Sequence, residues 1–192
     1  EACWRTFGFS LYSRFPPVQT LALHLLDEQT TTFQDGNERA ALDKGPPSTE
    51  LTAWLQCLKG LSMNERLPVN DSAGKEIWSA KYCDWPERFV YNKKTKTWQK
   101  RKDNAPNVGR VYNAHPREGE RFYLRLLLHR VVAQDMALTN TDGSSNSDAF
   151  TLEALKYFED VKYATYKAAA MARNLLQDDG EWHAAMDDAK HD

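Results

Sequence analysis

An α+β fold is predicted for this chain: an N-terminal antiparallel sheet with a basic β-hairpin, followed by a C-terminal helical cluster. Three observations carry the expectation. Short runs rich in aromatic and β-branched residues, bounded by Pro, Gly, Asn and Asp, fill the first half. Helical spacing of leucines and alanines governs the second half. Between them, RFVYNKKTKTWQKRK, from Arg88 to Lys102, holds seven lysines and arginines, three aromatics and no acid.

The elements follow in order. Residues 4–9 read as a short aromatic strand, and Pro16-Pro17 separates it from a second strand carrying Val18, Leu21, Leu23 and Leu25. The run at 30–33 is β-branched and returns as its hairpin partner. A helix over 37–44 is ended by Gly45-Pro46-Pro47. Ser48 or Thr49 then caps a helix with Leu51, Trp54, Leu55 and Leu58 on one face, closed by Gly60. Residues 62–75 form a polar loop, Ile77, Trp78 and Tyr82 lead into the basic hairpin, and 108–112 adds a strand. The turn His115-Pro116-Arg117-Glu118-Gly119 opens a helix over 120–132, with Phe122 and Leu126 on one face and Arg121, Arg125 and His129 aligned at i, i+4 spacing. The stretch TNTDGSSNSD at 139–148 is loop by composition, and helices are expected over 150–161, 165–175 and 181–190. Two parts result, a β-rich half over 1–116 and a helical half over 117–192, or one continuous domain.

The basic stretch is the chemically distinctive feature. Phe89, Tyr91 and Trp98 flank the polar turn Asn92-Lys93-Lys94-Thr95, so the segment reads as a twisted ribbon. Side chains two residues apart share a face of such a ribbon. The aromatics then stand where bases stack, while Arg88, Lys93, Lys94, Lys96, Lys100, Arg101 and Lys102 meet phosphates. Arg110 in the next strand, and Arg121 with Arg125 on the helix, extend the candidate nucleic-acid-binding set. The competing reading turns Phe89 and Trp98 inward and leaves the lysines to blunt an edge strand. For Arg121, Arg125 and His129 the competing reading is a polar stripe opposite a leucine core.

Charge distribution agrees with a polyanion-facing middle. Residues 85–130 hold twelve lysines and arginines against four acids, net +8, and the remainder holds thirteen against twenty-three, net −10. With 41% hydrophobic and 27% charged residues in a chain of 192, the composition excludes disorder and a membrane protein and allows a sizeable core. The three cysteines, Cys3, Cys57 and Cys83, form no CxxC pair, which points to a reducing intracellular compartment. The chain opens on Glu1 and not on methionine, as expected of a fragment, a processed product or a truncated frame.

Catalytic motifs were sought by spacing. The Gly74-Lys75 pair is followed by Glu76, and Val69 stands where a phosphate loop needs glycine. The histidines His24, His115, His129, His183 and His191 never fall two or four apart, and no serine lies in a GxSxG elbow. The cluster Asp178, Asp179, Glu181 and His183 reads as acids at a helix start, where the macrodipole favours them. No catalytic residue, metal site or cofactor is therefore expected in this chain.

Several blocks together resemble a segment of Helitron-type transposon proteins. Cys3-Trp4-Arg5-Thr6-Phe7-Gly8-Phe9 is similar to the opening of that segment, and Pro17 to Leu25 to its next strand, with Gln29-Thr30-Thr31-Thr32-Phe33 as partner. Leu51-Thr52-Ala53-Trp54, Trp98-Gln99-Lys100-Arg101 and Gly109-Arg110-Val111-Tyr112 follow in the same order. The most specific block is Gly119-Glu120-Arg121-Phe122-Tyr123-Leu124-Arg125-Leu126-Leu127-Leu128-His129. Phe158-Glu159-Asp160-Val161, Thr165-Tyr166-Lys167-Ala168-Ala169 and the block from Leu175 to Trp182 complete the set. The chain departs from the family pattern at 133–157, where a longer Ser/Asn-rich insertion replaces a short turn.

What the resemblance implies is a place between a rolling-circle nuclease and a Pif-type ATP-dependent DNA helicase, in the nucleus or otherwise intracellular. The segment would be a non-catalytic connector holding DNA, in particular single-stranded DNA, beside the flanking nuclease and helicase domains. The alternative is a stand-alone protein-interaction module derived from such an element, without DNA binding, using the acidic helices. Without nucleotide-binding or metal-binding motifs, the purified chain is expected to show no DNA-stimulated ATP hydrolysis. ATPase activity abolished by a substitution within this chain would contradict that expectation.

Overall fold

The computed structural model describes residues 16–26, 28–29, 35–36, 39, 45–63, 77–102, 106–138 and 146–176. The expected strands at 4–9 and 30–33, the helix over 181–190 and the acidic cluster beginning at Asp178 lie outside them, as do most of the helix over 37–44 and of the loop over 62–75. Helices and small two-stranded sheets make up the described part, an α+β mixture. The regular elements are β1 (Val18–Leu21), α1 (Glu50–Met63), β2 (Phe89–Asn92), β3 (Thr97–Lys100), β4 (Val108–Val111), α2 (Glu120–Arg130), β5 (Tyr157–Phe158), β6 (Val161–Lys162) and α3 (Tyr166–Ala172).

The first sheet holds a parallel pair where antiparallel pairing was expected, and the antiparallel partners expected at 4–9 and 30–33 lie outside the described residues. Strand β1 pairs in parallel with β4, in the register Val18 to Val108 and Leu21 to Val111. Parallel strands need a long crossover, and here α1 and the basic hairpin lie between the two strands in sequence. Leu21, Leu23 and Val111 are buried at the C-terminal end of this pair, while Val18, Thr20, Val108 and Arg110 remain exposed. Gly109 is required where β4 meets the preceding segment. A Cβ there would overlap the Cys83 carbonyl oxygen and lie 2.9 Å from Pro86 Cδ.

Helix α1 forms as its spacing predicts. Leu51, Trp54, Leu55 and Leu58 are all buried. Thr49 is the cap, its Oγ1 accepting from Thr52 N at 3.2 Å while Thr52 Oγ1 accepts from Thr49 N at 2.8 Å. The two threonines thus satisfy donors that a helix start leaves orphaned. Gly60 does not close the helix, which runs on to Met63. Leu61 packs against the core one residue later, and that packing outweighs the modest helix penalty of glycine.

Tyr82 and Trp85 complete an aromatic centre with α1. Trp54 lies 5.0 Å from Tyr82 and 6.3 Å from Trp85, and Trp85 stacks on Phe89 at 4.2 Å with an interplanar angle of 3°. All four rings are buried. Tyr82 donates its hydroxyl to the Ala22 carbonyl at 3.1 Å, tying the centre to the chain just after β1.

Helix α2 buries Leu124, Leu127 and Leu128, continued by Val131. The expected face through Phe122 and Leu126 is displaced, because the i, i+3, i+4, i+7 set from Leu124 forms the wider apolar stripe. Phe122 and Leu126 are half-buried. Before it, His115 Nδ1 accepts from Arg117 N, and Glu118 Oε1 accepts from His115 N at 2.7 Å, fixing the turn. Glu120 reaches the start of α3, accepting from Tyr166 N at 2.6 Å and Lys167 N at 3.3 Å. Thr165 Oγ1 accepts from Ala168 N at 3.0 Å.

The segment 133–157 also departs from expectation. Ala133, Met136, Ala149, Phe150, Leu152, Ala154 and Leu155 are buried, so both ends of this segment belong to the core. Residues 139–145 lie outside the described part. Asp148, expected in the loop, is fixed by Tyr157 Oη at 3.0 Å and Lys162 Nζ at 2.6 Å, and these bonds hold its carboxyl below the ordinary range. The helix expected over 150–161 is instead a 3-10 turn at Leu152–Lys156 followed by the β5–β6 hairpin. Glu159 and Asp160 both take positive φ, 50° and 63°, the backbone of a tight primed turn that joins β5 to β6.

Gly109→Ala is expected to destabilise the protein by at least about 2 kcal/mol, because backbone must move to admit the methyl group. Gly60→Ala, with nothing within 4 Å of the added carbon, is expected to stabilise by about 0.5–1 kcal/mol. Thermal melting of the two variants checks both signs.

Candidate nucleic-acid interface

The basic segment is a hairpin. Strands β2 and β3 pair antiparallel, with Phe89 opposite Lys100, Tyr91 opposite Trp98 and Asn92 opposite Thr97. Asn92 organises the turn. Its Oδ1 accepts from Lys94 N at 2.9 Å and Thr95 N at 3.3 Å, and its carbonyl accepts from Lys96 N at 2.8 Å. Lys96 sits at φ 57°, a left-handed position that costs a lysine more than a glycine. Thr95 and Thr97 join their hydroxyls at 2.8 Å across the base of the turn.

The aromatics point into the fold, which corrects their expected role as base-stacking surfaces. Phe89 is 6% exposed beneath Trp85, and Trp98 is 7% exposed with its Nε1 donating to the Glu50 carbonyl at 2.9 Å. Tyr91 packs 5.2 Å from Trp98 and donates its hydroxyl to the Ser48 carbonyl at 3.3 Å. Burial, reinforced by the Glu50 carboxylate, raises the Tyr91 pKa and keeps that donor protonated. Alternation explains the outcome: the three rings share the one face of a short ribbon that lies against the first turn of α1.

The cations divide into two groups. Lys93, Lys94, Lys96, Lys100 and Lys102 are exposed, and none forms an ion pair with a described residue. Arg110 is exposed on β4. The other arginines serve the fold first. Arg88 is buried, and Arg101 is half-buried with its Nε donating to the Pro86 carbonyl at 2.8 Å. Arg121 donates to the Leu23 carbonyl at 3.1 Å and lies 3.4 Å from Glu118 and 3.9 Å from Glu28. Arg125 donates through Nε to the Tyr112 carbonyl at 3.1 Å. The i, i+4 arginines of α2 thus hold the carbonyls just beyond β1 and β4 while remaining half-exposed. His129, one turn on, is held below its ordinary pKa by burial and then by the Arg125 charge, so it adds no cation near neutral pH.

Sequence reasoning passed over Tyr112. The residue is 57% exposed, just past the end of β4 and two residues beyond Arg110. The signal was the alternation Val108, Arg110, Tyr112 around the inward Gly109 and Val111.

No other chemistry gathers among the described residues. No group of three or more His, Cys, Asp or Glu side chains could hold a metal ion there, and no helix is long and apolar enough to cross a membrane. Burial pushes the Cys57 and Cys83 thiols up to about 11, so both are protonated and weakly nucleophilic near neutral pH. A cleft beside β5 is lined by Asp135, Glu159, Asp160 and Arg173, but Arg173 is already engaged, donating to the Tyr157 carbonyl at 2.7 Å and lying 4.7 Å over Phe158. No family model and no curated protein matches this chain.

Trp98→Ala is expected to cost about 3–5 kcal/mol of stability, the range for emptying a buried aromatic site. Lys96→Gly is expected to add about 0.5–1 kcal/mol by relieving the left-handed lysine. Denaturant unfolding of both variants checks the assignment of Trp98 to the core and the strain at Lys96.

Proposed function

We propose that this chain is a non-catalytic DNA-binding connector, of the kind its resemblance to Helitron-type helicase proteins implies, and that it grips the phosphate backbone by charge alone along the hairpin. One observation carries the reading. Five exposed lysines stand on a ribbon fixed to the start of α1 by Trp98 and to Ser48, just before it, by Tyr91, with no ion pair to a described residue. A fixed ribbon holds the lysine backbones at set spacing, so less ordering accompanies each phosphate contact. Lysine meets phosphate as a point charge and reads no sequence. The same chemistry would suit a segment that passes DNA between a nuclease and a motor, where every sequence must be accepted. Lys96 supports the reading: a strained lysine at a position suited to glycine is consistent with a role for the side chain.

Burial of the hairpin aromatics also favours the second reading, a protein-interaction module without DNA binding, because it removes one of the two features that pointed to nucleic acid. The salt dependence of binding to an oligothymidylate separates the two. With about four cations on phosphate, log affinity against log salt should fall with a slope of roughly −3. Lys94→Ala with Lys96→Ala should flatten it by roughly one to two units at unchanged melting temperature. Affinity untouched by the double change would leave the hairpin a solvated edge and favour the interaction module.

A further inference from the structure

We infer that Tyr112 is the base-stacking residue of this interface, on a path for single-stranded DNA that leaves the base of the hairpin and crosses β4. The inference rests on the charge-based reading of the hairpin and adds to it the element that the burial of Phe89 and Trp98 took away.

Tyr112 is 57% exposed and makes no ring contact with a described residue. Its backbone, by contrast, is held on both sides: the amide donates to the Leu21 carbonyl at 3.0 Å, and the carbonyl accepts from Arg125 Nε at 3.1 Å. A ring mounted on a fixed backbone has two side-chain torsions to order when it stacks, which keeps the entropic cost low.

Position and charge point to a nucleic acid as the occupant. Arg110, two residues earlier, shares the outward face of β4, and Arg125 lies at the Tyr112 carbonyl. The hairpin base and β4 meet at Pro86, whose carbonyl accepts from Arg101 and whose Cδ is the close neighbour of Gly109. Lys100 and Lys102 flank Arg101 at this meeting point, and Arg110 and Tyr112 follow Gly109 along the chain. Val108, 43% exposed, and its cross-strand neighbour Val18, 39% exposed, add apolar surface to the same face. An aromatic ring beside apolar surface and cations is the arrangement that binds unpaired bases between phosphates. A duplex keeps its bases stacked on one another, so the ring selects single strands.

The test compares an oligothymidylate with an abasic oligonucleotide of the same length, which keeps the phosphates and lacks the bases. Tyr112→Ala should weaken oligothymidylate binding about 5- to 150-fold without changing the salt slope. Tyr112→Phe should bind like the wild type, and both variants should bind the abasic strand as the wild type does. Equal losses on the two strands would overturn the inference, since the ring would then act through something other than a base. Unchanged oligothymidylate binding by Tyr112→Ala would also overturn it. If the paired lysine changes still weaken binding in that case, the charge-based reading stands without Tyr112. If they do not, both fall together.

Discussion

The hydrogen bond from Trp98 Nε1 to the Glu50 carbonyl, 2.9 Å long and covered by the ring itself, is the contact on which the arrangement of this molecule depends. It fastens a polar, lysine-rich ribbon to the start of the longest helix in the described part. An isolated two-stranded hairpin is marginal in water, and this one gains its stability from packing three rings against α1 and Trp85. With that face committed to packing, the positive charge is concentrated in the turn, at Lys93, Lys94 and Lys96, and at the open end of the hairpin, at Lys100 and Lys102. Seven like charges within fifteen residues repel one another, and the aromatic anchorage offsets that repulsion.

The same economy of roles recurs elsewhere. Arginines that look like ligands from sequence are spent on carbonyls at the ends of β1 and β4, where they tie α2 to the parallel strand pair. Glu120 links α2 to α3 by accepting the amides that begin the second helix. The cations that remain exposed are mostly lysines, the residues best suited to a solvated, sequence-blind contact with phosphate. The arginines that hold carbonyls use the planar, multiply donating guanidinium, whereas the hairpin turn presents the compact, strongly hydrated ammonium of lysine.

Much of this was legible in the sequence, and the failures have physical causes. The α1 face was readable because Leu51, Trp54, Leu55 and Leu58 keep strict helical spacing, and Thr49 carries the hydroxyl a helix start needs. The hairpin was readable from alternation around Asn92. Which face of that ribbon is buried was not, since alternation fixes the pairing of side chains but not the side on which the core lies. The parallel pairing of β1 with β4 was hidden because the two strands are far apart in sequence, and neighbouring segments offered a nearer partner. The β5–β6 hairpin was hidden because its turn residues Glu159 and Asp160 adopt a backbone more often supplied by glycine or asparagine. Tyr112 escaped notice for a related reason: exposure is a property of the assembled sheet.

The central claim is that the hairpin contributes charge to the interface and keeps its aromatics in the fold. The most direct measurement is a titration of the isotopically labelled protein with an oligothymidylate, following backbone amides and indole N–H resonances together. The account predicts progressive shifts from Lys93 to Thr97 and at Lys100 and Lys102, with the Trp98 indole resonance unmoved and protected from solvent exchange before and after binding. A Trp98 indole signal that exchanges freely in the unbound protein, or moves with saturation by the oligonucleotide, would contradict it.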